Sequence, residues 1–324
     1  MSDGSRARAL WILRPGECAI EEEPLRSAGP SEVLVEALYG GISRGTERIV
    51  FSGTVPASEA ERMRGPHMAG DFSFPVKYGY CSVGRVLAGP EALEGREVFC
   101  LYPHQDRYVV AAEAVRPLPP GLPPGRAVLA ATMETALNIV WDAGILPGDR
   151  VAVFGAGIVG LLVASVARGI PGTEVVLVDP ETGRRGPAAR LGLDPIAPES
   201  IADDFDVLVN ASASDAALAL ALDHAGMEAR IVEASWYGTR AARLPLGGAF
   251  HAKRLSIVSS QVGQPPPCRR ARWSHARRMD KALALLTDAR YDALISGETA
   301  FDELAPAYPR LLADPATLFH RIRY

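Results

Sequence analysis

At 324 residues the chain is about twice the usual domain length, so two domains are expected, each able to bury a core. A formal charge of −4 supplies no cationic footprint for nucleic acid, and 48% hydrophobic content is that of an ordinary globular enzyme. Cys18, Cys81, Cys100 and Cys268 are far apart with no CxxC pair, which excludes a four-cysteine structural zinc lobe and gives no sign of a disulfide framework.

The opening residues hold no apolar stretch of signal-peptide length before the charges at Glu17 and Glu21 to Glu23. No later apolar run needs a membrane, so a cytoplasmic protein is expected. From Ala9 to Val115 short β-type runs (LWIL, EVLVEALY, YCSVGRVLA, REVFCLY, RYVVAA) alternate with turns, which predicts a partly closed β-barrel. Residues 116–126, RPLPPGLPPGR, can continue neither strand nor helix and mark a crossover. A helix is predicted over Ala127 to Ala143, before Pro147-Gly148-Asp149 leads into a strand.

Val151 to Asp179 then reads strand, turn, helix, strand. Gly155, Gly157 and Gly160 supply G-x-G-x-x-G where strand gives way to helix: the first for the tight turn, the second for approach of a pyrophosphate, the third for close packing of helix on strand. The helix begins at Ile158 and Val159, and its unpaired N-terminal amides form an anion site. Asp179, nineteen residues beyond Gly160, stands where a carboxylate would bind the adenosine ribose and repel a 2′-phosphate. NAD is therefore expected before NADP, with Arg184 and Arg185 as the residues that would favour NADP. FAD is the rival ligand, but FAD domains of this type usually open at the N-terminus.

Further alternation follows: DVLVN over Asp206 to Asn210, a helix over Ala213 to Ala225, RIVEA over Arg230 to Ala234 and LSIVS over Leu255 to Ser259, the sixth and last strand of a doubly wound parallel sheet. The basic run Arg269 to Arg278 reads as a solvated loop and helix start, with an anionic substrate at a cleft rim as the lesser alternative. After a helix over Ser274 to Arg290, the tail segments ALISGE and LFHRIRY are expected to return as strands to the first domain. The expected division is 1–125, 126–288 and 289–324.

This arrangement resembles the medium-chain dehydrogenase/reductase, or alcohol dehydrogenase-like, superfamily. The likeness rests on Gly41-Ile42-Ser43-Arg44-Gly45-Thr46-Glu47, on Gly79-Tyr80-Cys81-Ser82-Val83-Gly84-Arg85-Val86, on Met133-Glu134-Thr135 and on Val151 to Asp179. It implies a Rossmann domain and an N-terminal GroES-like β-barrel domain completed by the C-terminal tail. Locally the chain is most similar to the branch containing the bacteriochlorophyllide hydroxyethyl dehydrogenase. Zinc-dependent members carry ligands where this chain has Ser43, Tyr80, Cys81 and Glu134, and hydroxyls are poor zinc ligands. No catalytic zinc is expected, although Cys81, Glu134 and His104 would offer an improvised site if they converged.

Without zinc, a side chain or water must polarise the carbonyl and exchange its proton. The candidates, in segments that line the interdomain cleft in relatives, are Tyr80, Ser43, His104 and Glu134. Tyr80 would be a proton donor tuned by Lys77, or else a packed barrel tyrosine. Ser43 and Thr46 would relay protons or bond the nicotinamide ribose, or simply cap their turn. Arg44 would contact the cofactor diphosphate, or else form a surface pair with Glu47. Glu134, a carboxylate in an apolar helix, would hold a water, Lys77 or the Tyr80 hydroxyl. His104 would be an acid or base, or a structural histidine.

The first reading is an NAD(H)-dependent, zinc-independent oxidoreductase of a secondary alcohol or ketone. The alternatives are an NADPH-dependent quinone or enoyl reductase and a non-catalytic nucleotide-binding sensor. A small-molecule substrate is expected as the partner, with neither nucleic acid nor membrane. The apolar edge strand Leu255 to Ser259 predicts a homodimer in which two sheets join, as they do in relatives.

Overall fold

A computed structural model describes residues 6–324. Its contacts divide the chain into two compact units, one built from the residues up to Ala131 together with Met279–Tyr324, the other from Thr132–Arg278. Arg126 shows why the first division falls later than residue 125. Its guanidinium grips both Asp292 carboxylate oxygens at 2.7 Å and donates to the carbonyls of Leu286 and Thr287, all in the first unit.

The first unit is the GroES-like one. β1 (Arg6–Arg14) and β2 (Glu17–Pro24) form a hairpin, and β3 (Glu32–Ile42) buries Val33, Val35 and Ala37 on one face while Glu36 points out, the period-2 pattern of a half-buried strand. The GISRGTE segment, read above as a turn, opens helix α1 (Arg44–Phe51). The short strands β4 (Ala69–Gly70) and β5 (Val76–Lys77) complete the sheet β2-β1-β5-β4. β6 (Ser82–Ala88), β7 (Glu97–Cys100), β8 (Arg107–Ala111) and β9 (Val115–Pro117) belong to a second sheet built on β3. A single turn, α2 (Pro124–Ala127), closes the crossover.

The helix expected from Ala127 starts at Ala130, as α3 (Ala130–Ala143). In the second unit, β10 (Arg150–Phe154) is followed by α4 (Ile158–Arg168), β11 (Glu174–Val178), α5 (Arg185–Arg190), β12 (Phe205–Asn210), α6 (Asp215–His224), β13 (Ala225–Glu233), β14 (Ser256–Ser259) and the short α7 (Pro267–Arg270). Val151 to Phe154 are all buried, as befits a central parallel strand covered on both faces. The sheet order is β11-β10-β12-β13-β14, entirely parallel. It has five strands, not the six expected. Beyond β11 the chain makes only an isolated bridge, Val178 to Ile196, because residues 191–198, LGLDPIAP, carry a glycine and two prolines where a strand would run. β14 is nevertheless an edge, paired only with β13.

The helix expected over Ser274 to Arg290 ends earlier, as α8 (His275–Leu285). β15 (Ile295–Ala300), α9 (Leu304–Ala313) and β16 (Phe319–Arg323) follow, and β16 pairs antiparallel with β3, setting His320 opposite Ile42. The tail is thus an integral part of the first unit's sheet. No helix of the described residues is long and apolar enough to cross a membrane.

Candidate functional site

In the second unit the nucleotide cradle follows from its glycines. Gly155 takes a φ of +98°, and a Cβ on Gly160 would lie 1.8 Å from the Gly155 carbonyl oxygen, so helix and strand meet only because both side chains are absent. Gly157 has nothing within 4 Å of its Cβ position and caps α4 with no side-chain hydrogen bond, leaving the amides of the first turn, from Ile158 and Val159 on, open to an anion. Asp179 closes β11: its Oδ2 accepts the Ala156 N–H at 2.6 Å and its Oδ1 the Glu181 N–H at 2.8 Å. Each oxygen keeps a further lone pair for ribose hydroxyls. Arg184 is buried at 9% exposure, whereas Arg185 is exposed. The uncapped α4 N-terminus, the space at Gly157 and the carboxylate at the end of β11 fit a dinucleotide.

At the same sheet rim, β12 and β13 end in a hydrogen-bonded group. The Asn210 side-chain amide donates to Glu233 Oε2 at 2.7 Å, the Tyr237 hydroxyl donates to the same oxygen at 3.2 Å, and the Ser235 N–H donates to Glu233 Oε1 at 2.8 Å. Burial pushes the Glu233 carboxyl above its usual range, opposed by these hydrogen bonds. Trp236 is half-buried beside them.

In the first unit the centre of the polar interior is Glu47, not the surface partner of Arg44 weighed above. It is fully buried and accepts three hydrogen bonds: from the Ser43 N–H at 2.8 Å, from His104 Nε2 at 2.9 Å and from the Tyr308 hydroxyl at 2.7 Å. The other ring nitrogen of His104, Nδ1, has no partner among the described residues. His104 is 1% exposed and its ring lies against Gly79, which places it behind the polar wall as a positioning group rather than as an acid or base in contact with substrate.

Tyr80 is half-buried, and the Ser43 side chain lies near enough to its hydroxyl to pull its pKa down. Ser43 caps α1 by position but makes no side-chain cap bond. Burial raises the Tyr80 pKa well above its usual value, and the charges of Tyr78, Glu47 and Cys81 act in the same direction against the Ser43 side chain. The expected tuning by Lys77 is absent. That ammonium donates to Glu23 at 2.6 Å and to Gln105 at 2.7 Å. Arg44 and Thr46 sit half-buried in the first turn of α1.

Glu134 holds neither Lys77 nor Tyr80. Its Oε1 accepts from Arg278 Nε at 2.9 Å, and Arg278 also donates to Asn138 Oδ1 and, at 2.6 Å, to the Val262 carbonyl. Both charged side chains are buried. Glu134, Asn138 and Asp142 recur every four residues, forming a polar stripe on α3. Asp142 extends it to the Ser260 hydroxyl at 2.6 Å. The remaining arginines of the basic run are partly used in stacking, Arg269 over Trp141 and Arg277 over Trp273, with the two indoles 4.7 Å apart. Of the donors weighed for an improvised metal site, Glu134 is paired with Arg278, His104 is engaged with Glu47 through Nε2 alone, and burial pushes the Cys81 thiol pKa well above its usual value. Among the described residues no three His, Cys, Asp or Glu side chains gather as metal ligands.

No protein-family model matches the chain. It is 38% identical to D-xylulose reductase A of Aspergillus niger over 77 residues, a stretch spanning 24% of this chain and 22% of that protein. Over nearly full length it is 25% identical to D-guloside 3-dehydrogenase of Escherichia coli K12, with 86% of this chain and 88% of the relative covered. It is also 25% identical to 2-desacetyl-2-hydroxyethyl bacteriochlorophyllide A dehydrogenase of Rhodobacter capsulatus, with 91% and 90% covered. Solved structures superpose end to end. An alcohol dehydrogenase from Escherichia coli CFT073 complexed with NADH matches with a TM-score of 0.79 at 19% identity, covering 99% of this chain and 100% of that one. The fold is that of the medium-chain, alcohol dehydrogenase-like superfamily. Within this superfamily a zinc-binding dehydrogenase from Sinorhizobium meliloti 1021 bound to NADP matches with a TM-score of 0.78 at 18% identity, again covering 99% and 100%.

Proposed function

We propose that this alcohol dehydrogenase-like chain is an NAD(H)-dependent, zinc-independent oxidoreductase that moves hydride between nicotinamide and a secondary alcohol or ketone of a small metabolite. The observation that carries it is the cradle in which the uncapped α4 N-terminus, the space at Gly157 and the Asp179 carboxylate suit a diphosphate and an adenosine ribose together. Its full-length relatives are named dehydrogenases.

Bound nicotinamide would supply the ring that accepts or gives hydride. Asp179 would bind the adenosine ribose through its free lone pairs. In the reducing direction the Tyr80 hydroxyl, held protonated, donates its proton to the substrate oxygen, and the nearby Ser43 hydroxyl relays a proton from solvent back to Tyr80. Glu47, His104 and Tyr308 keep α1, and with it Ser43, in place. The metal-free reading is supported by Glu134, where relatives place a ligand, being committed to Arg278.

The test is a fluorescence titration of both reduced cofactors. NADH is expected to bind at least about tenfold more tightly than NADPH, a difference of about 1.4 kcal/mol, because a 2′-phosphate would meet the Asp179 charge while Arg184 is buried. A preference for NADPH of the same size would turn the assignment toward a quinone or enoyl reductase with Arg185 as its phosphate partner.

We also propose a homodimer through β14. Its outer backbone groups have no strand beside them, and Ser256 to Ser259 carries neither charge nor proline to block one. Light scattering is expected to report a dimer at micromolar concentration, and Ile257→Pro to shift it to monomer by removing ladder bonds. A monomeric unsubstituted protein would reject the pairing.

A further inference from the structure

Glu233 closes β13 at the rim of the parallel sheet, where ligands of such sheets bind. Its two oxygens accept from Asn210, Tyr237 and the Ser235 N–H, all neutral donors, and it forms no ion pair among the described residues. Elsewhere in this unit the buried carboxylate Glu134 has its arginine. The nearby Arg240 is engaged otherwise, stacked over the Tyr237 ring and donating to the Ala213 carbonyl at 2.8 Å. A half-buried carboxylate so well oriented yet without a countercharge leaves its charge available to a cation from outside the chain.

The position narrows what that cation is. Asp179 ends β11, the glycine turn ends β10, Asn210 ends β12 and Glu233 ends β13, four neighbouring strands in that order. Strands lie about 4.8 Å apart, so Glu233 stands roughly 14 Å along the rim from Asp179, with the diphosphate cradle between them. A dinucleotide whose adenosine ribose sits on Asp179 would carry its second half toward β12 and β13. In the oxidised cofactor that half is a pyridinium cation, and in the reduced cofactor it is neutral.

We propose that the Glu233 carboxylate, fixed by Asn210, Ser235 and Tyr237, faces the nicotinamide ring and selects the oxidised, cationic form of the cofactor. The inference rests on the nicotinamide reading above and adds to it the residue that discriminates between the two redox forms of the cofactor. Since the carboxylate acts by charge, its removal should weaken binding of one redox form only.

The experiment measures dissociation constants of NAD+, NADH and ADP-ribose, the last lacking the ring, on the full chain and on Glu233→Gln. ADP-ribose is expected to bind both proteins alike, which also shows that the variant is folded. NAD+ is expected to bind the variant on the order of tenfold more weakly, as loss of one nearby opposite charge implies, with NADH changed less than twofold. Glu233→Asp, which keeps the charge, should retain most of the preference. Should Glu233→Gln fail to fold, Tyr237→Arg at its half-exposed position sets a cation against the same carboxylate and should produce the same selective loss of NAD+. Equal changes for NAD+ and NADH, or none, with ADP-ribose still bound, would overturn the inference and leave the nucleotide reading standing. Failure of the unsubstituted protein to bind ADP-ribose would overturn both.

Discussion

Replacing Arg278 with methionine is expected to cost about 3–5 kcal/mol of stability, read as a lowered urea midpoint. Methionine has a similar reach and fills the same buried space, so lost packing is a small part of the effect. The larger part is what is left behind: Glu134 without its cation and Asn138 Oδ1 without a donor, both buried, and the part-buried Val262 carbonyl without a partner. Adding Glu134→Gln should recover most of the loss, because the burial penalty belongs to the unpaired charge and not to the polar side chain as such.

The deficit of Arg278→Met should also depend on pH in a definite direction. Burial already pushes the Glu134 carboxyl up while the Arg278 charge and hydrogen bond pull it down, so removing arginine raises it further above the unfolded value of about 4.3. A carboxyl raised in the folded state is no burden below the unfolded pKa, where both states are protonated. It loses stability as pH rises through the folded pKa. The variant should therefore lie nearest the unsubstituted protein near pH 4 and farthest from it at neutral pH. A deficit under about 1 kcal/mol at pH 7 would show that the pair is dispensable.

The nucleotide-binding half was legible because its chemistry is local. Gly155, Gly157, Gly160 and Asp179 lie within one strand-turn-helix-strand unit, so their spacing alone assigns their places. The sheet stops at five strands because the prolines and glycine of residues 191–198 leave only the Ile196 bridge beside β11. Glu47 and Glu134 were visible as carboxylates, but their partners were not. His104 and Tyr308 reach Glu47 from 57 and 261 residues away, and Arg278 reaches Glu134 from 144 residues away. No periodicity encodes such pairings. Arg278 was hidden further by its setting in a basic run whose other members are exposed or stacked on tryptophan, so charge density pointed to solvent where one member is interior. Glu233 was missed because it ends an ordinary RIVEA strand, and only its neighbours Asn210 and Tyr237 make it distinctive.

Tyr80→Phe is expected to lower kcat for ketone reduction by about 10²–10⁴-fold, the usual worth of a positioned proton donor, while ADP-ribose and NADH affinities stay within about twofold. Phenylalanine keeps the ring that meets Tyr78 edge-on at 6.0 Å and removes only the hydroxyl, so the fold should stay undisturbed. The substrate for this measurement comes from a panel of secondary alcohols and ketones, assayed on protein treated with chelator. Because burial holds the Tyr80 pKa well above its ordinary value near 10, the hydroxyl remains protonated and the reduction rate should show no fall attributable to it between pH 7 and about 10. Ser43→Ala should cost less, since water can replace a relay more readily than a donor. A Tyr80→Phe enzyme keeping more than about a fifth of the parent kcat would remove tyrosine from the reaction, and loss of activity on chelation would return the oxygen-polarising role to a metal.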